Sequence, residues 1–151
     1  MKLCRVFAAL ILIAGLSACA AKPAELPEPE RLFETIRQAA RLPEMADVTA
    51  DMLEANTGIA AGEYVSAVYY IPMESIVPEE IILIRAVDGA AARDIEEKLE
   101  SYLAYRVESA RVYLTEYMPV LQAGVVRRDG LTVSLIVSEQ VSGIVSVYDN
   151  F

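Results

Sequence analysis

The amino-acid sequence predicts an α+β fold: an antiparallel four-stranded sheet of two hairpins, packed against a long amphipathic helix and shorter terminal helices. Three observations lead there. Two runs rich in strand formers, 64–71 and 81–87, follow one another with only a loop between them. An Asp129-Gly130 pair separates two further β runs, 124–128 and 131–137. Between the pairs, apolar residues recur at spacings of three and four. Two hairpins split by a helix imply an antiparallel sheet with helices laid on it, in two layers.

In chain order, residues 1–18 are expected to be a secretory signal peptide. Lys2 and Arg5 make a short cationic start. Residues 6–15 are apolar apart from Gly15, and as a helix they cover about 15 Å, half of a ~30 Å hydrocarbon core. That is too short for a stable span. Leu16-Ser17-Ala18-Cys19 then resembles the lipobox of bacterial lipoproteins. Small side chains let a peptidase bind extended backbone, and the thiol is the soft nucleophile that accepts diacylglycerol. The expectation is cleavage before Cys19, with acylated Cys19 heading the mature chain and membrane lipid as its partner. Residues 1–18 are left out of fold reasoning accordingly. Residues 19–30 read as the lipidated cysteine and a tether: Pro23, Pro27 and Pro29 favour an extended spacer reaching roughly 30 Å. Residues 31–151 make one α+β domain.

Within the domain, a first helix over 31–41 places Leu32, Ile36, Ala39 and Ala40 on one face and stops at Pro43. Thr49 reads as the cap of a second short helix ending near Asn56 and Gly58, with Asp51 well placed in its first turn. The strand 64–71 ends at Pro72. The strand 81–87 is apolar on both faces, which suits a central position. Asp88 and Gly89 end it.

The long helix is expected over 91–118, with Ile95, Leu99, Leu103, Val107, Ala110, Leu114 and Met118 on one side and Pro119 closing it. In the last strand Leu131, Val133, Leu135 and Val137 alternate with Thr132, Ser134 and Ser138, giving a dry face and a wetter one. Ser138 is placed to cap a final helix presenting Val141, Ile144, Val145 and Tyr148.

Several features, in this order, carry a family resemblance. They are Leu42-Pro43-Glu44-Met45 after the first helix, Gly58 before a Tyr-led strand, and Pro78-Glu79-Glu80-Ile81 opening the next strand. Tyr117-Met118-Pro119 follows, then a hairpin closing on Leu135-Ile136-Val137-Ser138. Together they resemble the short lipoproteins, common in clostridia and their relatives, catalogued as domain of unknown function 4358. The likeness runs from the lipobox to the last helix. Arg127-Arg128-Asp129-Gly130-Leu131 departs from the Gly-Asn-Tyr type of turn that members more often carry. The resemblance implies a membrane-anchored extracytoplasmic protein of a Gram-positive surface, and transfers no catalytic residue.

Composition excludes several chemistries. The chain of 151 residues has no histidine, so a Ser-His-Asp or Cys-His site and imidazole-based zinc hydrolysis are out of reach. Loss of residues 1–18 takes Lys2 and Arg5 and no acid, leaving 11 basic against 22 acidic residues, a formal charge of −11. No nucleic-acid partner is expected of so acidic a chain. Of the two cysteines, Cys4 leaves with the signal and Cys19 carries lipid. The domain therefore has no thiol, disulfide or Cys-based metal site. No glycine-rich phosphate loop is present, and neither a cofactor nor a metal ligand set is expected.

What remains are carboxylates, tyrosines and one arginine. Asp47 and Asp51, and Glu96 and Glu100, are spaced to share helix faces. They read either as a solvated acidic surface or as part of a calcium or two-carboxylate glycosidase site. Eight tyrosines, with no tryptophan, read either as core-edge residues with hydroxyls toward water or as a sugar- or peptide-binding face. Tyr69 and Tyr70 share a strand, and Tyr102, Tyr113 and Tyr117 lie near the long helix's apolar arc. Arg106 falls inside that arc, where a charge needs a partner. Either its stem lies along the core edge while the guanidinium snorkels out to water or meets a carboxylate, or it binds an anion in a pocket. The function expected is a non-catalytic binding domain of the cell envelope, its partner an envelope protein or a cell-wall component. A carboxylate-based hydrolase of wall or glycan substrates is the alternative.

Overall fold

The computed structural model describes residues 25–74, 76 and 78–151. Residues 1–18, read as a signal peptide, and Cys19 lie outside them.

Helix α1, Pro29–Ala39, buries Leu32, Phe33 and Ile36. Proline opens it because a first-turn residue has no ladder amide to lose. The folded part starts earlier than expected. Leu26 is 7% exposed and sits in the core with Leu32 and Phe33, so residues 25–30 lie on the domain.

Strand β1, Met45–Asp47, leads into α2, Thr49–Thr57, which ends on Gly58 with φ 71°. Only glycine takes that left-handed position without strain. Thr49 is the first helical residue, and Asp47 Oδ1 accepts from its backbone N–H at 2.9 Å.

Strands β2, Tyr64–Pro72, and β3, Glu80–Ala86, follow. Asp88 then starts α3, Gly89–Tyr113, accepting from the N–H groups of Ala90 and Ala91 at 2.9 and 2.8 Å. The helix is shorter than predicted. The chain tightens into a 3₁₀ turn at Thr115–Tyr117, and Pro119 sits in the first turn of α4, Met118–Gln122. The apolar period continues through Leu114 and Met118 but on a separate element.

Strands β4, Val125–Asp129, and β5, Thr132–Val137, close the sheet, and α5, Val141–Tyr148, ends the chain. Asp129 pairs with Thr132, so the two loop residues are Gly130, at φ 62°, and Leu131, one residue later than the motif indicated. Positive φ at the first loop residue alone is the type II′ pattern.

The sheet is antiparallel and has five strands, in the order β1-β2-β3-β5-β4, where the sequence indicated four. The extra strand is β1, three residues registered Met45–Pro72 to Asp47–Tyr70 along the edge of β2. The α+β class stands.

Helices cover both faces, so there are three layers, not two. Ile82, Ile84, Val133, Leu135 and Val137 pack with Leu53, Ile95 and Leu99 from α2 and α3. Val68, Ile81, Leu83 and Ile136 pack with Leu32, Ile36, Ile144 and Val147 from α1 and α5. Alternation along β3 supplies both sides at once. Full burial of an aliphatic side chain contributes about 1.5–3 kcal/mol relative to exposure, so this strand anchors both cores. The wetter face expected of β5 is covered as well: Ser134 is buried and accepts the Tyr148 hydroxyl at 2.7 Å.

Candidate functional site

The residue parity that sends Ile82 and Ile84 toward α3 sends Glu80 the same way, at the opening of the central strand. Glu80 is 0% exposed. Its Oε1 is 2.7 Å from Nη1 of Arg106, one turn after Tyr102 on α3. Its Oε2 lies 2.8 Å from the Tyr69 hydroxyl and 3.1 Å from the Tyr102 hydroxyl.

The two hydroxyls are 2.9 Å apart, Arg106 Nη1 donates to the Tyr102 oxygen at 3.0 Å, and Asn56 Nδ2 donates to the Tyr69 oxygen at 3.3 Å. Three oxygen–oxygen contacts here share only two phenolic protons. Arg106 donates to Tyr102, both phenols are placed to donate to Glu80 Oε2, and either hydroxyl can be the donor across the contact between them. Such chains polarise one another in a low-dielectric interior.

Electrostatics follow from burial. Loss of water pushes the Glu80 carboxyl above the usual carboxylate range, opposed by Arg106 and the two phenols. Burial, then the charge of Glu80, pushes both Tyr69 and Tyr102 up, so neither ionises near neutrality. Burial alone would lower Arg106, but Glu80 and the phenols hold the guanidinium up and charged. The cluster ties β2, β3, α2 and α3 together, and Arg106 Nη2 also reaches the carbonyl of Pro78 at 3.4 Å.

Over this cluster runs a groove of about 480 Å³ between α2 and α3. Tyr102 is shared between the two. Asn56 and Thr57 line one wall, and Asp94, Glu97, Lys98, Ser101 and Tyr105 the other. The Tyr105 ring is 68% exposed. Lys98 is engaged by Glu63, 2.5 Å away. Burial alone would raise the Glu63 carboxyl, but Lys98 and the Ala60 N–H hold it below the usual range. Asp94 and Glu97 thus leave this wall acidic. An aromatic face beside an amide, a hydroxyl and carboxylates can stack on and hydrogen-bond a polar ligand.

The residues singled out in the sequence separate cleanly. Arg106 meets a carboxylate at the core edge. Tyr69 and Tyr102 turn their hydroxyls inward to Glu80, contrary to the expected water-facing placement. Tyr70 stacks on Phe33 at 3.6 Å, and Tyr113 is 87% exposed, well away from any apolar arc. Asp47 belongs to β1 and accepts from the Thr49 N–H ahead of α2, so it does not share a helix face with Asp51. Glu96 accepts from Arg128 Nε at 2.6 Å. Among the described residues, no group of three or more His, Cys, Asp or Glu is placed to hold a metal ion. Glu80, Asn56, Ser101 and Tyr105 were not singled out by sequence reasoning. Arg106 in the dry arc pointed to a partner, and the parity of Glu80 with Ile82 and Ile84 was the signal that could have named it.

A family model described as Domain of unknown function (DUF4358) matches residues 38–138, more than half of the chain. The chain belongs to this family. The DUF4358 match takes in β1 to β5, α2, α3 and every residue of the Glu80 cluster and the groove; most of α1 and all of α5 lie outside it. Neither the curated proteins nor the solved structures include a match. No helix among the described residues is long and apolar enough to cross a membrane.

Proposed function

We propose that this DUF4358 chain is a lipoprotein held on the outer face of the cell membrane through acylated Cys19, and that its domain binds an envelope protein or a cell-wall component without transforming it. The groove between α2 and α3 is the binding surface. The carrying observation is the exposed Tyr105 ring set among Asn56, Ser101, Asp94 and Glu97, above a floor bonded together by the Glu80–Arg106 network. A floor fixed before binding reduces the ordering cost of capture.

The hydrolase reading draws on one observation, the raised carboxyl of Glu80 beside a groove with two further acids. Against it, both Glu80 oxygens are committed to Arg106 and the tyrosines.

Photo-crosslinking on living cells separates the readings. A photoreactive aromatic at position 105 is expected to capture a reproducible partner, and Ser101→Trp, which fills the groove, to abolish capture. Turnover of a wall glycan that is lost in Asp94→Asn or Glu97→Gln, with no captured partner, would replace binding by hydrolysis.

A further inference from the structure

The segment preceding α1 is clasped to the end of β3. Arg85 is only 12% exposed. Its Nη1 donates to Glu25 Oε1 at 2.7 Å and its Nη2 to the Leu26 carbonyl at 2.6 Å. Its Nε lies 2.9 Å from Glu28 Oε1, an ion-pair distance without hydrogen-bond alignment. Glu28 also accepts from the Ser66 hydroxyl at 2.7 Å, and Leu26 is buried.

These contacts sit at one pole of the sheet. Arg85 is registered with Ser66 on one side and Thr132 on the other, beside the Gly130 turn. The opposite pole carries the β2–β3 loop and the second half of α3. There Arg106 is already level with Glu80, the first residue of β3, so residues 107–113 run beyond the strand.

Resting on the lipid-anchor reading, we propose that this clasp sets how the domain faces the bilayer. The pole of Gly130 is turned to the lipid surface, and the pole of Glu74 and the end of α3 is turned away. Chain reach carries the argument. From Cys19 to Glu25 is six residues, at most about 20 Å when extended. With 25 residues, α3 alone is about 37 Å long. A clasped domain therefore cannot invert to stand on its far pole, which would lift the clasp about 37 Å from the membrane. Were the clasp released to Pro29, the reach would grow to roughly 35 Å and the restriction would vanish. An acidic domain, repelled by anionic headgroups, would then be free to swing.

The test uses lipidated chain reconstituted in vesicles. With Cys19 acylated, a single introduced cysteine takes the fluorophore, at Gly130→Cys or at Glu74→Cys, with an energy-transfer acceptor on the headgroups. The label at 130 is expected to lie roughly 20 Å nearer the headgroups than the label at 74, the rise along β3. The Glu25→Ala, Leu26→Ser, Glu28→Ala triple variant, which removes both carboxylates and the buried leucine that hold the segment, is expected to erase that difference. Arg85→Ala is a second arm, judged on folded material. Equal distances in the parent chain, or a difference that survives clasp removal, would overturn the orientation while leaving the anchor intact. Chain that fails to float with the vesicles would overturn the anchor and the orientation together.

Discussion

Glu80 and Arg85 stand at opposite ends of β3 and turn to opposite faces of the sheet. Glu80 is wholly buried, and its cation and two phenols come from secondary-structure elements packed around it. Arg85 is nearly as buried, but its partners Glu25 and Glu28 keep 61% and 57% of their side-chain surface in water. The same strand thus holds one charge whose partners are part of the core and one whose carboxylate partners lie on the segment before α1. Removing a partner should be costly in the first case, because it strands a charge away from water. In the second case water replaces the partner, and the effect is mainly on attachment. One end of the strand lies under the groove; the other holds the segment that leads back toward Cys19.

The largest expected effect is at Arg106. Arg106→Met should cost about 3 kcal/mol at neutral pH, the low end for breaking a buried pair, since Arg106 keeps 27% of its side-chain surface in water. The sign of its pH dependence follows from Glu80. A carboxyl whose folded pKa is raised binds more protons folded than unfolded, so stability is fullest below the unfolded pKa and falls as pH rises through the folded one. Without Arg106 that pKa rises further. Urea unfolding across mildly acid to neutral pH should show a deficit that shrinks toward acid, and a constant deficit would mean that Glu80 is not the group responsible.

Next is Tyr69→Phe, which removes a donor to Glu80 and should cost about 1.5–3 kcal/mol, the range for hydrogen bonds to charged groups. A loss no larger than that of Tyr70→Phe, whose hydroxyl is no part of the cluster, would contradict the Tyr69–Glu80 bond.

The smallest effect is at the clasp. Arg85→Ala should cost about 1 kcal/mol or less, since its partners are exposed, and the difference should narrow at high salt as these pairs are screened. A salt-independent loss as large as that at Arg106 would erase the contrast between the two ends.

Much of the fold was legible in local pattern, and the misses share a cause. The two-sided apolarity of Ile81, Ile82, Leu83 and Ile84 announced a central strand, and Asp129-Gly130 announced a hairpin to within one residue. Met45-Ala46-Asp47 carries no strand pattern of its own; it is a strand only because β2 offers it an edge. The end of α3 was hidden because Leu114 and Met118 prolong the helical period into separate elements. Pro23, Pro27 and Pro29 read as a spacer in composition, while Arg85 and the buried Leu26 fix its last residues in three dimensions. The site was half legible: Arg106 stood out as a charge in a dry arc, whereas the groove arises where α2 meets α3, a distance that no local pattern encodes.

Intact-mass analysis of the protein extracted from its native membrane tests the placement on which both the binding role and the clasp's orienting role depend. The expected species begins at Cys19 and carries diacylglycerol on its sulfur. A chain that still begins at Met1, or one whose Cys19 is unmodified, would contradict it.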